Sequence, residues 1–284
     1  MNLFFCGGFA KSGTTLLQRI LNQHNDISCE LEDDLNFLLG EFIKIHKSYN
    51  LRVKQIGDRI GLNEVKPISS NVYINALTKL INDIAEERKL DKKFVGISDN
   101  NFLLENLNIL NDNFINSKSI IIFRNPIDRA ISLWNHNHRL HKKENEYGHI
   151  KVLEIDGKLD IDKFVLHKST LWNSEVKKIF DKIKKNDKNL LFITYELLCT
   201  KKSEVMKKIF NFIGCKYDNS TIKNIIENTS LENFRAKSSS PEFYDKGSLN
   251  FGEDYLNSKT IKKSIELSRE SLDLLNIKIP GKFK

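Results

Sequence analysis

Three observations predict an α/β fold of three layers, a central parallel sheet with helices on both faces. Short, uninterrupted apolar runs at residues 3–6, 119–123 and 190–195 have the length of strands buried on both sides. Segments with apolar residues at helical spacing alternate with these runs. The first run breaks at Gly7-Gly8 and enters a G-x-x-x-x-G turn, Gly8 to Gly13, which opens a helix in the manner of a P-loop.

The elements follow in order along the chain. After the first strand, residues 11–15 form a polar turn, and Leu16, Leu17, Ile20 and Leu21 mark the helix behind it. Residues 40–75 are helical in part but mixed in pattern. Leu103, Leu107, Leu110 and Phe114 mark one helical face, followed by the strand at 119–123. Arg124-Asn125-Pro126 then opens a helix bearing Ala130, Ile131, Leu133 and Trp134, since proline suits a first helical position. Val176, Ile179, Phe180 and Ile183 precede the strand at 190–195. Val205, Met206, Ile209, Phe210 and Ile213 form a helix capped by Gly214. Trp134 and Trp172 fall in helical patterns as core residues, and the paired lysines at 177–178, 184–185, 201–202 and 207–208 as solvated helix faces. Residues 40–75, the polar stretch 136–160 and the Ser/Pro/Gly-containing stretch 236–258 are expected as long loops around a site. No repeat and no Gly/Ser- or Pro-rich linker divides the chain, which predicts one domain over residues 1–284.

Composition excludes several classes. With 284 residues, 40% hydrophobic, 10% aromatic and 29% charged, the chain is neither disordered nor fibrous nor a polytopic membrane protein. The 45 basic and 37 acidic residues give +8, which permits an anionic partner without naming one. Cys6, Cys29, Cys199 and Cys215 are too scattered for a disulfide framework and form no C-x-x-C pair, so a reducing compartment is expected and a cysteine zinc site is not. The first six residues lack the basic region of a signal peptide, and no apolar run is long enough to span a membrane.

The turn from Gly8 to Thr15 carries the first chemistry. Backbone N–H groups of such a turn point at an anion, the helix dipole favours it, and the hydroxyls of Thr14 and Thr15 add donors. Nucleotide triphosphatases place lysine directly after the second glycine; here that position is Thr14, and the lysine is Lys11. No acid stands alone at the end of an apolar strand to hold magnesium; Asp99 and Asp128 are the nearest. A second anion site begins at Arg124, directly after the strand at 119–123, where a planar guanidinium suits phosphate; Ser132 follows on the helix. Two anion sites at the ends of parallel strands suit a ligand with two separated anionic groups.

These motifs resemble those of the cytosolic and Golgi sulfotransferases, which use 3′-phosphoadenosine 5′-phosphosulfate (PAPS) and release adenosine 3′,5′-bisphosphate (PAP). Lys11-Ser12-Gly13-Thr14-Thr15-Leu16 is similar to their 5′-phosphosulfate loop, and Arg124 with Ser132 to their 3′-phosphate motif. Tyr195-Glu196-x-Leu198 leading to Phe212-Ile213-Gly214, and then Thr229-Ser230, match in family order. Lys246-Gly247 resembles the late Lys-Gly phosphate segment, though Asp245 stands where the family has arginine. The resemblance implies sulfuryl transfer to a hydroxyl or amine of a small-molecule, glycan or peptide acceptor. Lys11 would meet the charge on the leaving 5′-phosphate, Arg124 and Ser132 would hold the 3′-phosphate, and Tyr195 and Thr229 would lie near adenosine. No metal, nucleic acid or membrane partner is implied.

The base is less regular. The stretch 94–100, where cytosolic members carry a histidine, contains neither histidine nor lysine. In the tyrosylprotein sulfotransferases a glutamate about twenty residues after the loop cation serves, and here that spacing favours Glu32, then Glu30, with Asp99 third. His136, His138 and His141 are expected on the substrate side or the surface. The alternatives are a P-loop small-molecule kinase and a non-catalytic nucleotide-binding module. A single domain of this length favours the cytoplasm.

Overall fold

A computed structural model of the chain describes residues 2–29, 35–61, 66–114, 116–183, 187–230, 232–233, 236 and 249–279. Its centre is a parallel sheet of five strands: β1 (Asn2–Gly8), β2 (Ile27–Ser28), β3 (Phe94–Ser98), β4 (Lys118–Phe123) and the later β7 (Leu190–Thr194), in the order β2-β3-β1-β4-β7. Phe5 pairs with Ile97 on one side and Ser119 on the other, so β1 lies in the middle.

The unbroken apolar strands split their side chains between two cores. Phe4, Cys6, Ile120, Ile122 and Ile193 pack with α1 (Thr14–Asn22), α9 (Tyr195–Thr200), α10 (Lys202–Ile213) and α11 (Asn219–Asn228). Phe5, Val95, Ile97, Ile121 and Phe123 pack on the other face with α3 (Ser70–Arg88), α4 (Asn100–Glu105), α5 (Leu107–Asn113) and α8 (Ile161–Lys182). Trp172 is fully buried there, as its pattern predicted. A third cluster joins α6 (Pro126–Glu144), α7 (Gly148–Lys151), α8 and α12 (Ser258–Leu274) through Ile131, Leu153, Phe164 and Ile261, with Trp134 partly buried against it.

The structure corrects the expected loops. Most of residues 40–75 is helix, in α2 (Leu35–Ile60) and the start of α3. The polar stretch after 136 continues α6 to Glu144, then forms α7 and the small antiparallel hairpin β5 (Glu154–Ile155) and β6 (Lys158–Leu159). Polar residues on a half-exposed helix conceal its period. The face marked by Leu103 to Phe114 is two short helices, broken at Asn106.

β1 connects towards β2 and β4 towards β7, so the connections of these adjacent strands leave in opposite directions. Such a divergence opens a crevice at the carboxyl ends of the strands.

Candidate active site

The first wall of the crevice is the turn after β1. Gly7 and Gly8 lack side chains because the neighbouring backbones come too close: a Cβ would collide with the carbonyl oxygen of Asp99 at Gly7 and of Ile122 at Gly8. The chain then turns sharply, with the Ser12 N–H donating to the Phe9 carbonyl at 3.0 Å. Lys11 has φ 70° and Gly13 φ 96°, both left-handed. Positive φ on a lysine is uncommon. Gly13 caps α1 with no side-chain hydrogen bond, and no acid lies in the first turn. The helix dipole and its first N–H groups are thus available to an anion. Thr14 is buried and Thr15 half-buried. Ser12 is fully buried, and its Oγ meets no hydrogen-bond partner among the described residues.

The second wall begins at Arg124, which is 7% exposed. Its Nη1 donates to the Lys11 carbonyl at 3.3 Å. The guanidinium lies 4.3 Å from the ring centroid of Tyr195 and 5.4 Å from that of Phe251, with Asp128 Oδ2 3.9 Å from Nη2. Tyr195 also closes over Gly13, where a Cβ would strike its ring. Burial drives the Tyr195 hydroxyl pKa up, so the phenol stays protonated. Lys11, Gly13, Arg124 and Tyr195 therefore meet in one place.

Behind them stands a polar scaffold of residues that the sequence motifs contain but to which they give no role. Asn125 caps α6 by accepting from the Asp128 N–H at 2.8 Å. Its own N–H and side-chain amide both donate to Glu196 Oε1, at 2.9 and 3.1 Å. Burial raises the Glu196 pKa despite these donors. Asp128 accepts from the Asn250 N–H at 2.8 Å, which brings the segment before Phe251 up to Arg124. The signal was present in Arg124-Asn125-Pro126-x-Asp128, whose asparagine and aspartate read as capping residues.

The remaining site residues are placed less centrally. Ser132 lies in the second turn of α6, half-buried. Thr229 ends α11 with its hydroxyl donating to the Ile225 carbonyl at 2.6 Å, and Lys202 holds its own carbonyl at 3.1 Å. Glu30, Glu32, Lys246 and Gly247 lie outside the described residues. The flanks of the first pair are fixed: Cys29 is held by Asn22 and Gln18 of α1, and the Leu35 N–H donates to Asp99 Oδ2 at 2.7 Å. Asp99 is 6% exposed and serves there as an anchor.

On the far side of the turn, Arg129 Nε donates to the Ala10 carbonyl at 3.0 Å and stacks 4.9 Å from Phe9. Burial lowers its pKa to about 10. His136 follows on α6; burial, then Lys11, Arg139 and His149, hold its pKa down to about 4. It is neutral at physiological pH and within electrostatic reach of Lys11. Among the described residues, His24, Asp26 and Cys215 form one group able to hold a metal ion and Glu144, Glu146 and His149 another. The first stands at the opposite edge of the sheet, where β2 begins. No described helix is long and apolar enough to cross a membrane.

Comparison with known proteins bears on the family and the fold. Residues 4–265 match the family model described as the sulfotransferase domain. No curated protein sequence matches the chain. Among solved structures, a mouse sulfotransferase complexed with PAP is 20% identical with a TM-score of 0.58, covering 95% of this chain and 84% of its own. A retinol dehydratase complexed with androsterone and PAP is 18% identical, TM-score 0.53, covering 98% and 83%. The sulfotransferase domain of the Synechococcus PCC 7002 olefin synthase is 16% identical, TM-score 0.51, covering 98% and 95%. The solved structures share the fold, and the family model spans nearly the whole chain: the chain belongs to the sulfotransferases.

Proposed function

We propose that this sulfotransferase moves the sulfuryl group of PAPS to a hydroxyl or amine by in-line displacement, within a single domain over residues 1–284. The observation that carries this is the convergence of Lys11 and Arg124 at the carboxyl ends of adjacent strands, joined by a hydrogen bond at 3.3 Å. PAPS has two anionic ends. The α1 N-terminus, Lys11, Ser12, Gly13, Thr14 and Thr15 suit the phosphosulfate, and Arg124 with Ser132 suits the 3′-phosphate. Tyr195 and Thr229 stand towards the adenosine, with Lys246 and Gly247 as further 3′-phosphate candidates. PAP in the mouse sulfotransferase and the retinol dehydratase supports this choice of donor.

Sulfuryl transfer, like phosphoryl transfer, passes through a loose transition state, so positioning and charge stabilisation dominate. Charge grows on the oxygen bridging to the 5′-phosphate, and Lys11 with the loop N–H groups meets it. A sulfuryl group carries less charge than a phosphoryl group, so the chemistry requires no metal. The base is Glu32, with Glu30 and then Asp99 behind it; the spacing from Lys11 supports this order. The acceptor is a small molecule, glycan or peptide; androsterone in the retinol dehydratase complex is an example of a hydroxyl-bearing molecule in this fold. Four free cysteines support a cytoplasmic setting.

Calorimetry and turnover with labelled PAPS test this. PAP should bind tightly without magnesium, and Lys11→Ala and Glu32→Gln should each cut turnover strongly, with PAP binding surviving in the Glu32 variant. Magnesium-dependent ATP binding without PAP binding would return the site to the kinase alternative. Near-full activity of Glu32→Gln removes that base.

A further inference from the structure

The chain leaves β1 through a four-residue turn, Phe9 to Ser12, closed by the Ser12 N–H on the Phe9 carbonyl at 3.0 Å. Lys11, its third residue, has φ 70°, and Ala10 before it is not left-handed. That combination is a type II turn. Its third position normally takes glycine or asparagine, because most side chains are strained there. The same residues would form a type I turn, which suits lysine, if one peptide rotated by half a turn. That peptide links Ala10 to Lys11, and its rotation exchanges the sides to which the Ala10 C=O and the Lys11 N–H point.

The surroundings hold the strained form. Phe9 is buried against Phe123, with ring centroids 5.9 Å apart, and Ser12 is fully buried, so both ends of the turn are fixed. Between them, Arg129 Nε donates to the Ala10 carbonyl at 3.0 Å and Arg124 Nη1 to the Lys11 carbonyl at 3.3 Å. Each carbonyl from Phe9 to Lys11 therefore accepts a hydrogen bond. Arg129 is itself set by its stacking on Phe9, 4.9 Å from the ring centroid, and by its backbone N–H on the Asn125 carbonyl at 3.1 Å. A strained backbone persists where its neighbours over-determine it. Arg129 holds the oxygen of the one peptide whose rotation would relieve Lys11.

We infer that Arg129 is a positioning residue for the sulfuryl donor: by holding the Ala10 oxygen it keeps the Lys11 N–H, rather than that carbonyl, turned towards the phosphosulfate. This rests on the sulfuryl-transfer reading of the turn. An N–H donates to an anionic oxygen and a carbonyl repels it, so one rotated peptide exchanges attraction for repulsion at the same place. Arg129 acts through this peptide and touches neither donor nor acceptor.

Calorimetry with PAP, whose 5′-phosphate occupies the turn on this reading, is the test. Arg129→Met keeps an apolar stem against Phe9 and removes the hydrogen-bond donor. PAP affinity should fall about tenfold, and Arg129→Lys, which can still donate, should recover part of it. The same substitution is then made in two Lys11 backgrounds. Alanine and glycine both remove the lysine charge, but only glycine takes a positive φ without strain. Arg129→Met should weaken PAP binding about tenfold beside Lys11→Ala and less than about threefold beside Lys11→Gly. Arg129→Leu carries the same comparison if the methionine variant does not fold. A distant cation or a general structural support would lose the same factor in both backgrounds, so equal losses overturn the inference. Unchanged affinity in Arg129→Met alone overturns it, as does a Lys11→Gly protein that binds no PAP, since the backbone then receives nothing. A wild-type protein that binds no PAP overturns the donor assignment and this inference with it. One that binds PAP but shows equal losses overturns this inference alone.

Discussion

Arg124 Nη1 donates to the carbonyl oxygen of Lys11, so the residue that ends β4 also holds the turn that follows β1. The two proposed anion sites are mechanically joined. On the proposed PAPS reading, replacing Arg124 removes a ligand for the 3′-phosphate and loosens the loop proposed for the phosphosulfate. A charged hydrogen bond is worth about 1.5–3 kcal/mol, so Arg124→Ala should weaken PAP binding by about 10–150-fold. Arg124→Lys keeps the charge but loses the stacked fork between Tyr195 and Phe251, and should fall between. Titration calorimetry measures both.

Gly13 and Gly40 should respond in opposite directions to alanine. Gly13 has φ 96°, and a Cβ would strike Tyr195. Gly13→Ala should cost more than about 1 kcal/mol and weaken PAP binding. Gly40 sits inside α2, and a Cβ there meets nothing within 4 Å. Gly40→Ala should stabilise by about 0.5–1 kcal/mol. Urea unfolding of the two variants separates a glycine that the backbone requires from one that it does not.

Glu196 makes a pH prediction. Burial raises its folded pKa, so its contribution is present below the ordinary 4.5 and is lost as pH rises through the folded value. Glu196→Gln keeps an acceptor for Asn125 and removes the buried charge. Its stability relative to wild type should therefore increase with pH above 4.5. Glu196→Ala strands two donors of Asn125 and should cost about 1–3 kcal/mol. Melting temperatures across the pH range read both effects.

His136 makes the opposite one. Its folded pKa is about 4 against an ordinary 6.5, so the unfolded chain binds the extra proton between these values. Stability tied to this group is full above 6.5 and falls as pH drops towards 4. His136→Gln should lose less melting temperature than wild type between pH 7 and pH 5. His24 and His138, also lowered chiefly by burial, act alike in both proteins and leave the difference intact.

Much of the sheet was legible because strands buried on both faces are apolar without interruption, as at residues 119–123. The site was legible where a spacing encodes backbone geometry, as in Gly8 to Gly13, or where a cation directly follows a strand, as at Arg124. The edge strand Ile27–Ser28 is too short to leave a pattern. α12 was missed because serines at 264, 268 and 271 take buried positions that a hydrophobic period would fill. Ser264 meets Ser169 of α8 at 2.5 Å, satisfying both hydroxyls inside the core. Glu196 was quoted within the Tyr195-Glu196-x-Leu198 landmark, but its role was not legible, for a related reason. A buried carboxylate that holds Asn125 looks in sequence like any acid in the first turn of a helix.

The position of β1 has one more consequence. It lies between β3 and β4, packed on both faces, so its amides are expected among the slowest to exchange with solvent. The turn proposed for the donor hangs from this strand. α2, by contrast, displays Ile45, Tyr49, Ile56 and Ile60 to water, each more than 40% exposed. Substitutions on such a periphery are expected to leave the backbone of the β1 turn unmoved.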